Sequence, residues 1–85
     1  MAYRIELARS AAREIRDIGR AEDRRRIMDR IHALADDPRP RGCVKIGGAD
    51  AYRIRIGVFR VIYTVTDSVL LVHVVKVAHR REAYR

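Results

Sequence analysis

Eighty-five residues, 19 of them basic, 11 acidic and one a cysteine, suffice for a single domain spanning residues 1–85 with one modest core. That length excludes a second domain or a deep cofactor cavity, the lone Cys43 excludes an intramolecular disulfide framework, and the formal charge of +8 points to an anionic partner, nucleic acid or acidic protein. The charge is uneven: residues 1–37 hold nine basic and eight acidic side chains, net +1, whereas residues 38–85 hold ten and three, net +7.

Tyr3-Arg4-Ile5-Glu6-Leu7 alternates apolar and charged residues, the period of a short strand. Ala8, Ala11, Ala12, Ile15 and Ile18 then keep helical spacing up to Gly19, which suits a helix stop, and Arg9, Arg13 and Arg16 face outward. A second helix is predicted from about Ala21 to about Asp36, with Ile27, Met28, Ile31, Leu34 and Ala35 as its buried stripe and Glu22 and Asp23 at its positive end. Arg24, Arg25 and Arg26, interleaved with acids, read as a solvated helix face. His32 has no neighbour at zinc-ligand spacing, no metal motif occurs elsewhere, and no cofactor is expected. Pro38 and Pro40 forbid continuation of the helix and open a loop, residues 37–42, that carries Arg39 and Arg41.

A short strand follows at Cys43 to Ile46, then a turn at Gly47-Gly48-Ala49-Asp50 that is too sparse in glycine to cradle a phosphate. The most informative run comes next, AYRIRIGVFRVIY from Ala51 to Tyr63. Folded at a type II′ turn on Gly57-Val58, it places Tyr52 opposite Tyr63, Ile54 opposite Val61 and Ile56 opposite Phe59 on one face. Arg55 meets Arg60 on the other, with Arg53 beside them. Like charges directly opposite each other are unfavourable, so this pair is easier to understand with a bound polyanion; a solvated outer face is the other reading that alternation permits.

Asp67-Ser68 suggests a second two-residue turn, pairing Val61 with Val74, Tyr63 with Val72 and Val65 with Leu70 along a strand from Val69 to Val77. On that register Lys76 is a misfit on the apolar face and belongs near an edge, Val75 lies opposite Arg60, and extension brings His79 to the arginine face. The predicted fold is α+β: a short N-terminal strand, a two-helix hairpin, then a three-stranded antiparallel sheet portion and a short C-terminal basic tail. The helices would cover the apolar sheet face and leave Arg53, Arg55, Arg60 and the His79-Arg80-Arg81 segment open. MAYRIELARS lacks the apolar region of a signal peptide, and His73 and Lys76 interrupt the longest apolar stretch, so a cytoplasmic protein without membrane contact is expected.

The order strand, helix, helix, strands, with YRIRIGVFRVIY followed by VVKVAHRREAYR, resembles the RelE-type toxins of the RelE/ParE toxin–antitoxin superfamily across nearly the whole chain. The resemblance implies a ribosome-dependent messenger-RNA endonuclease, an mRNA interferase that halts translation, with a cognate antitoxin, the ribosome and mRNA as partners. Its active-site positions carry over to Arg53, Arg55, Arg60, Arg80 and Tyr84. Metal-free cleavage needs the 2′-hydroxyl deprotonated, the phosphorane stabilised and the departing 5′-oxygen protonated. Arg53, Arg55, Arg60 and Arg80 suit phosphate binding, with Arg81 and Lys45 as further phosphate contacts, and Tyr84 suits base stacking or sugar orientation. Better-known members carry lysine where Arg53 and Arg55 stand. Arginine stays protonated, so His79 is the residue of this chain suited to proton transfer, with Glu82 and Lys45 behind it. A ParE-like toxin directed at DNA gyrase and a catalytically silent binding module are the alternative functions.

Overall fold

The computed structural model describes residues 2–48 and 50–79. Its elements run β1 (Arg4–Leu7), α1 (Arg9–Arg16), α2 (Ala21–Ala33), β2 (Val44–Ile46), β3 (Ala51–Ile56), β4 (Phe59–Thr66) and β5 (Leu71–His79), with a 3₁₀ turn at Asp67–Val69. The strands form one sheet in the order β1-β5-β4-β3-β2. The fold is therefore α+β as expected, but the sheet has five strands, not three, and is mixed. β1 returns to pair in parallel with β5, Ile5 beside Val72 and Leu7 beside Val74.

Both helices lie on one sheet face because their apolar stripes have nowhere else to go. Ala11 and Ile15 from α1 and Ile27 and Ile31 from α2, with Leu34 just beyond it, meet Ile54, Val61, Tyr63, Val65, Val72, Val74 and Val77 in one cluster of buried side chains. Each helix also suits its own dipole: Glu22 and Asp23 open α2, while Arg13 and Arg16 close α1. Among the described residues no helix is long and apolar enough to cross a membrane.

The β3–β4 hairpin has the expected register, Tyr52 beside Tyr63, Ile54 beside Val61, Arg55 beside Arg60 and Ile56 beside Phe59. Gly57 sits at φ +61° and Val58 does not share a positive φ, as a type II′ turn requires. The next connection departs from expectation. The 3₁₀ turn and a left-handed Leu70, φ 51°, replace the two-residue turn, so Val65 pairs with Val72 and Tyr63 with Val74.

That two-residue shift preserves the faces, but a bulge between Ile62 and Tyr63 does not: Ile62 pairs with Lys76, Val61 with Val77, Arg60 with Ala78 and Phe59 with His79. One extra residue on β5 inverts the parity of everything after it. The reason is Lys76. Uninterrupted alternation after Val72 and Val74 would put its ammonium on the core face, whereas the bulge places Val77 there, 3% exposed, and leaves Lys76 in solvent.

Candidate phosphate-binding face

Tyr52, Ile54 and Ile56 point into the core, so Arg53 and Arg55 on the same strand face away from the helices, and Arg60 stands directly beside Arg55 on β4. Three guanidinium groups on adjacent strand rows thus share the sheet face that α1 and α2 leave uncovered. Arg55 is exposed, and Arg53 and Arg60 are half-buried. Arg53 Nε is buried, and among the described residues no group accepts its hydrogen bond. A buried N–H without an acceptor costs about 1–3 kcal/mol, and a guanidinium costs more than a neutral amide. A carboxylate or phosphate oxygen is the acceptor that a fork of this kind matches.

The other expected site residues divide. His79 is corrected: the bulge turns it to the helix side, where it meets Phe59 edge-on, ring centroids 5.5 Å apart and planes at 79°. There it helps line a cleft of about 410 Å³ with Glu14, Asp17, Asp23 and Ile18, not the arginine face. Ala78 takes the place opposite Arg60 that Val75 was expected to hold. Lys45 is corrected too. It pairs with Tyr52, a core-facing residue, and so lies on the helix side of the edge strand β2, opposite to the arginines. Arg80, Arg81, Glu82 and Tyr84 lie outside the described residues.

Another histidine reaches the arginine side. His73 pairs with Thr64, which shares the face of Arg60 and Ile62, and parity after the expected turn already put it there. Four residues separate Thr64 from Arg60, about 13 Å at ~3.3 Å per residue, too far for a group bound at Arg60 to share a proton with it directly. Among the described residues, no three His, Cys, Asp or Glu side chains are grouped to hold a metal ion.

At the opposite end of the sheet, a polar network unforeseen from the sequence pins the proline loop. Arg39 forks onto Asp67, Nη2 to Oδ2 at 2.9 Å and Nη1 to Oδ1 at 3.2 Å, and its Nε donates to the Tyr52 hydroxyl at 2.8 Å. Tyr3 donates to Asp67 at 2.6 Å, and Tyr63 donates to the Pro38 carbonyl at 2.8 Å. The Arg39 fork and the Tyr3 hydroxyl hold the Asp67 carboxyl below its ordinary range, while burial pushes the Tyr63 phenol up. Arg39 is committed here and is not part of the arginine face. The run Arg24 to Arg26, read as a solvated face, is also partly committed: Arg24 donates to the Ile18 carbonyl, and Arg26 lies against the hairpin turn at Gly57.

Residues 5–84 match the sequence model of a family described as the ParE toxin of the type II toxin–antitoxin system, parDE. No curated protein sequence matches the chain. Among solved structures, a chain of the archaeal RelE–RelB complex from Pyrococcus horikoshii OT3 is 26% identical, with a TM-score of 0.81 over 94% of this chain and 97% of that one. The intact E. coli RelBE toxin–antitoxin complex contains a chain 25% identical, TM-score 0.80, over 92% and 96%. The YoeB/ParE toxin from Agrobacterium tumefaciens, 18% identical with a TM-score of 0.76 over 89% and 96%, shares the fold.

Proposed function

The chain belongs to the ParE toxin family, in the RelE/ParE superfamily of type II toxin–antitoxin toxins, and on that premise we propose that its arginine face binds and cleaves messenger RNA on the ribosome. One observation carries this reading: Arg53, Arg55 and Arg60 converge on the face without helices, and Arg53 Nε is buried there with no acceptor among the described residues. In the proposed reaction the RNA 2′-oxygen attacks its own 3′-phosphorus and loses its proton. The P–O5′ bond breaks and the 5′-oxygen gains a proton, leaving a 2′,3′-cyclic phosphate and a 5′-hydroxyl end. The three arginines grip the non-bridging oxygens and stabilise the charge that grows on them.

Proton transfer needs other groups, because arginine stays protonated and the His79 ring lies on the helix side. We assign it to Glu82 of the basic tail, or to water, with Tyr84 stacking on a base or orienting the sugar, Arg80 as a fourth phosphate ligand and Arg81 adding attraction. A cognate antitoxin is the expected partner, as the RelE–RelB and RelBE complexes each pair a toxin with its antitoxin. Action on RNA and ribosomes places the proposed activity in the cytoplasm.

The test is purified protein added to programmed ribosomes. We expect discrete cuts in the A-site codon, reduced about 10²-fold by Arg60→Ala, the usual scale for removing one transition-state donor, and changed less than threefold by His79→Ala. A second reading, inhibition of DNA gyrase, draws support from the ParE description of the matched family and from the turned-away His79. Intact message beside blocked supercoiling, from the same folded protein, would favour gyrase as the target.

A further inference from the structure

Arg55 does not end the basic surface. Beyond the tip of the β3–β4 hairpin it shares a cleft of about 270 Å³ with Arg26, Asp29 and Arg30 of α2, together with Ile56 and Gly57. Arg26 and Arg30 are four residues apart on α2 and so stand one above the other on the same helix face. Arg26 lies against the hairpin turn, where a Cβ on residue 57 would sit 3.3 Å from its Nη2. Three arginines from two elements, with Arg55 at the open edge of the hairpin tip, therefore line one space that holds one carboxylate, Asp29.

Little inside the protein answers this charge. Arg26 has a distant surface contact with Asp23, 3.8 Å, and among the described residues neither Arg30 nor Arg55 has an ion pair. The apolar lining is Ile56, already 4% exposed in the core, so the cleft has no anchor of the kind that drives protein docking. Guanidinium groups in a cleft lined by no exposed hydrophobic side chain suit a sugar–phosphate backbone, whose affinity comes mainly from charge.

We propose that the Arg26–Arg30–Arg55 cleft is a second phosphate subsite, which takes the RNA backbone as it leaves the arginine face around the hairpin tip. Arg55 belongs to both surfaces and makes them one track. The inference rests on the reading of that face as an RNA site, but needs no cleavage there.

The test is the salt dependence of binding of a 2′-O-methyl RNA 12-mer, which cannot be cut by 2′-hydroxyl attack, to the full-length protein. Arg26→Gln/Arg30→Gln should lower the slope of log K against log salt by about 1.4, two single-strand contacts at ~0.7 each. Arg9→Gln/Arg13→Gln, on the exposed outer face of α1, removes the same charge elsewhere and should leave the slope within about 0.3 of wild type, a change smaller than half of one contact. Thermal melts of each variant show whether it is folded; if the cleft pair does not fold, Arg30→Gln alone is expected to lower the slope by about 0.7. An unmoved slope in a folded cleft variant, or an equal loss in the α1 control, overturns the subsite. So does a cleft variant that keeps RNA affinity and loses affinity for an acidic antitoxin. Failure of the cleavage reading is a separate result: uncut message on ribosomes with the slope change intact removes the nuclease and leaves the subsite, and cutting with an unmoved slope does the reverse.

Discussion

Arg53 shows how one residue sets stability against function. Its Nε is buried without an acceptor among the described residues, so the folded protein carries a desolvation cost that a bound phosphate would relieve. Arg53→Met keeps the stem and removes the unsatisfied donor. It should raise stability by about 1 kcal/mol, a melting shift of about 4–8 °C, while weakening RNA binding. A thermal melt beside an RNA titration reads both. Asp67 gives the opposite case, a carboxylate fully served by Arg39 and Tyr3. Its carboxyl is held low in the fold, so the unfolded chain binds the proton more readily. The stabilisation is present above the ordinary carboxylate range and is lost as pH falls through the lower folded value. Melting temperature followed from pH 7 down to pH 2.5 should therefore fall less steeply in Asp67→Asn than in wild type, and a parallel fall would refute the linkage.

At the scale of elements, the hairpin was legible and the strand after it was not, for one physical reason. Between Ala51 and Tyr63 the alternation fails only at Ile62, an apolar residue on the arginine face, and Gly57 supplies the turn, so face, register and turn type follow from the same letters. In VVKVAH the alternation conflicts with itself: continuing it buries Lys76, and skipping one residue buries Val77. Lys76 does lie where the edge of β5 is open, as a misfit on the apolar face implies, but the bulge that accompanies it also turns His79 to the helix side, and nothing in the alternation announces that shift. Lys45 misleads in the same way: Val44 and Ile46 look like the apolar face of their strand, and only the register set by the intervening turn puts Lys45 beside Tyr52 on the helix side. The bulged segment has its own support. Past the end of β1 the edge of β5 is open, and Glu14 from α1 covers it, accepting from Val77 N at 2.9 Å and from Lys76 Nζ at 2.8 Å. Glu14→Ala leaves that N–H without its carboxylate and should cost about 1.5–3 kcal/mol; Glu14→Gln keeps an acceptor and should lose less than half as much in denaturant unfolding. Equal losses would mean that the charge on Lys76, rather than the capped edge, is what matters.

Over the whole molecule, one sheet separates two environments. The helices and the apolar side chains occupy one side, together with His79 in a cleft lined by Glu14, Asp17 and Asp23; Arg53, Arg55 and Arg60 occupy the other. The net of +7 over residues 38–85 is therefore not spread evenly: Arg39 is tied to Asp67 and Lys76 to Glu14, and the strand arginines stand apart from both pairs. A toxin of this family has to meet its target with one surface and its antitoxin with the same or another, and the arginine face is the one proposed here for a polyanion. The most direct measurement is a nuclear magnetic resonance titration of the full-length protein with the uncleavable 2′-O-methyl RNA 12-mer, following arginine Nε–Hε and histidine ring signals. The account predicts shifts at Arg53, Arg55 and Arg60, with the His79 ring unmoved; shifts at His79 and along its cleft, with the three arginines unmoved, would contradict it.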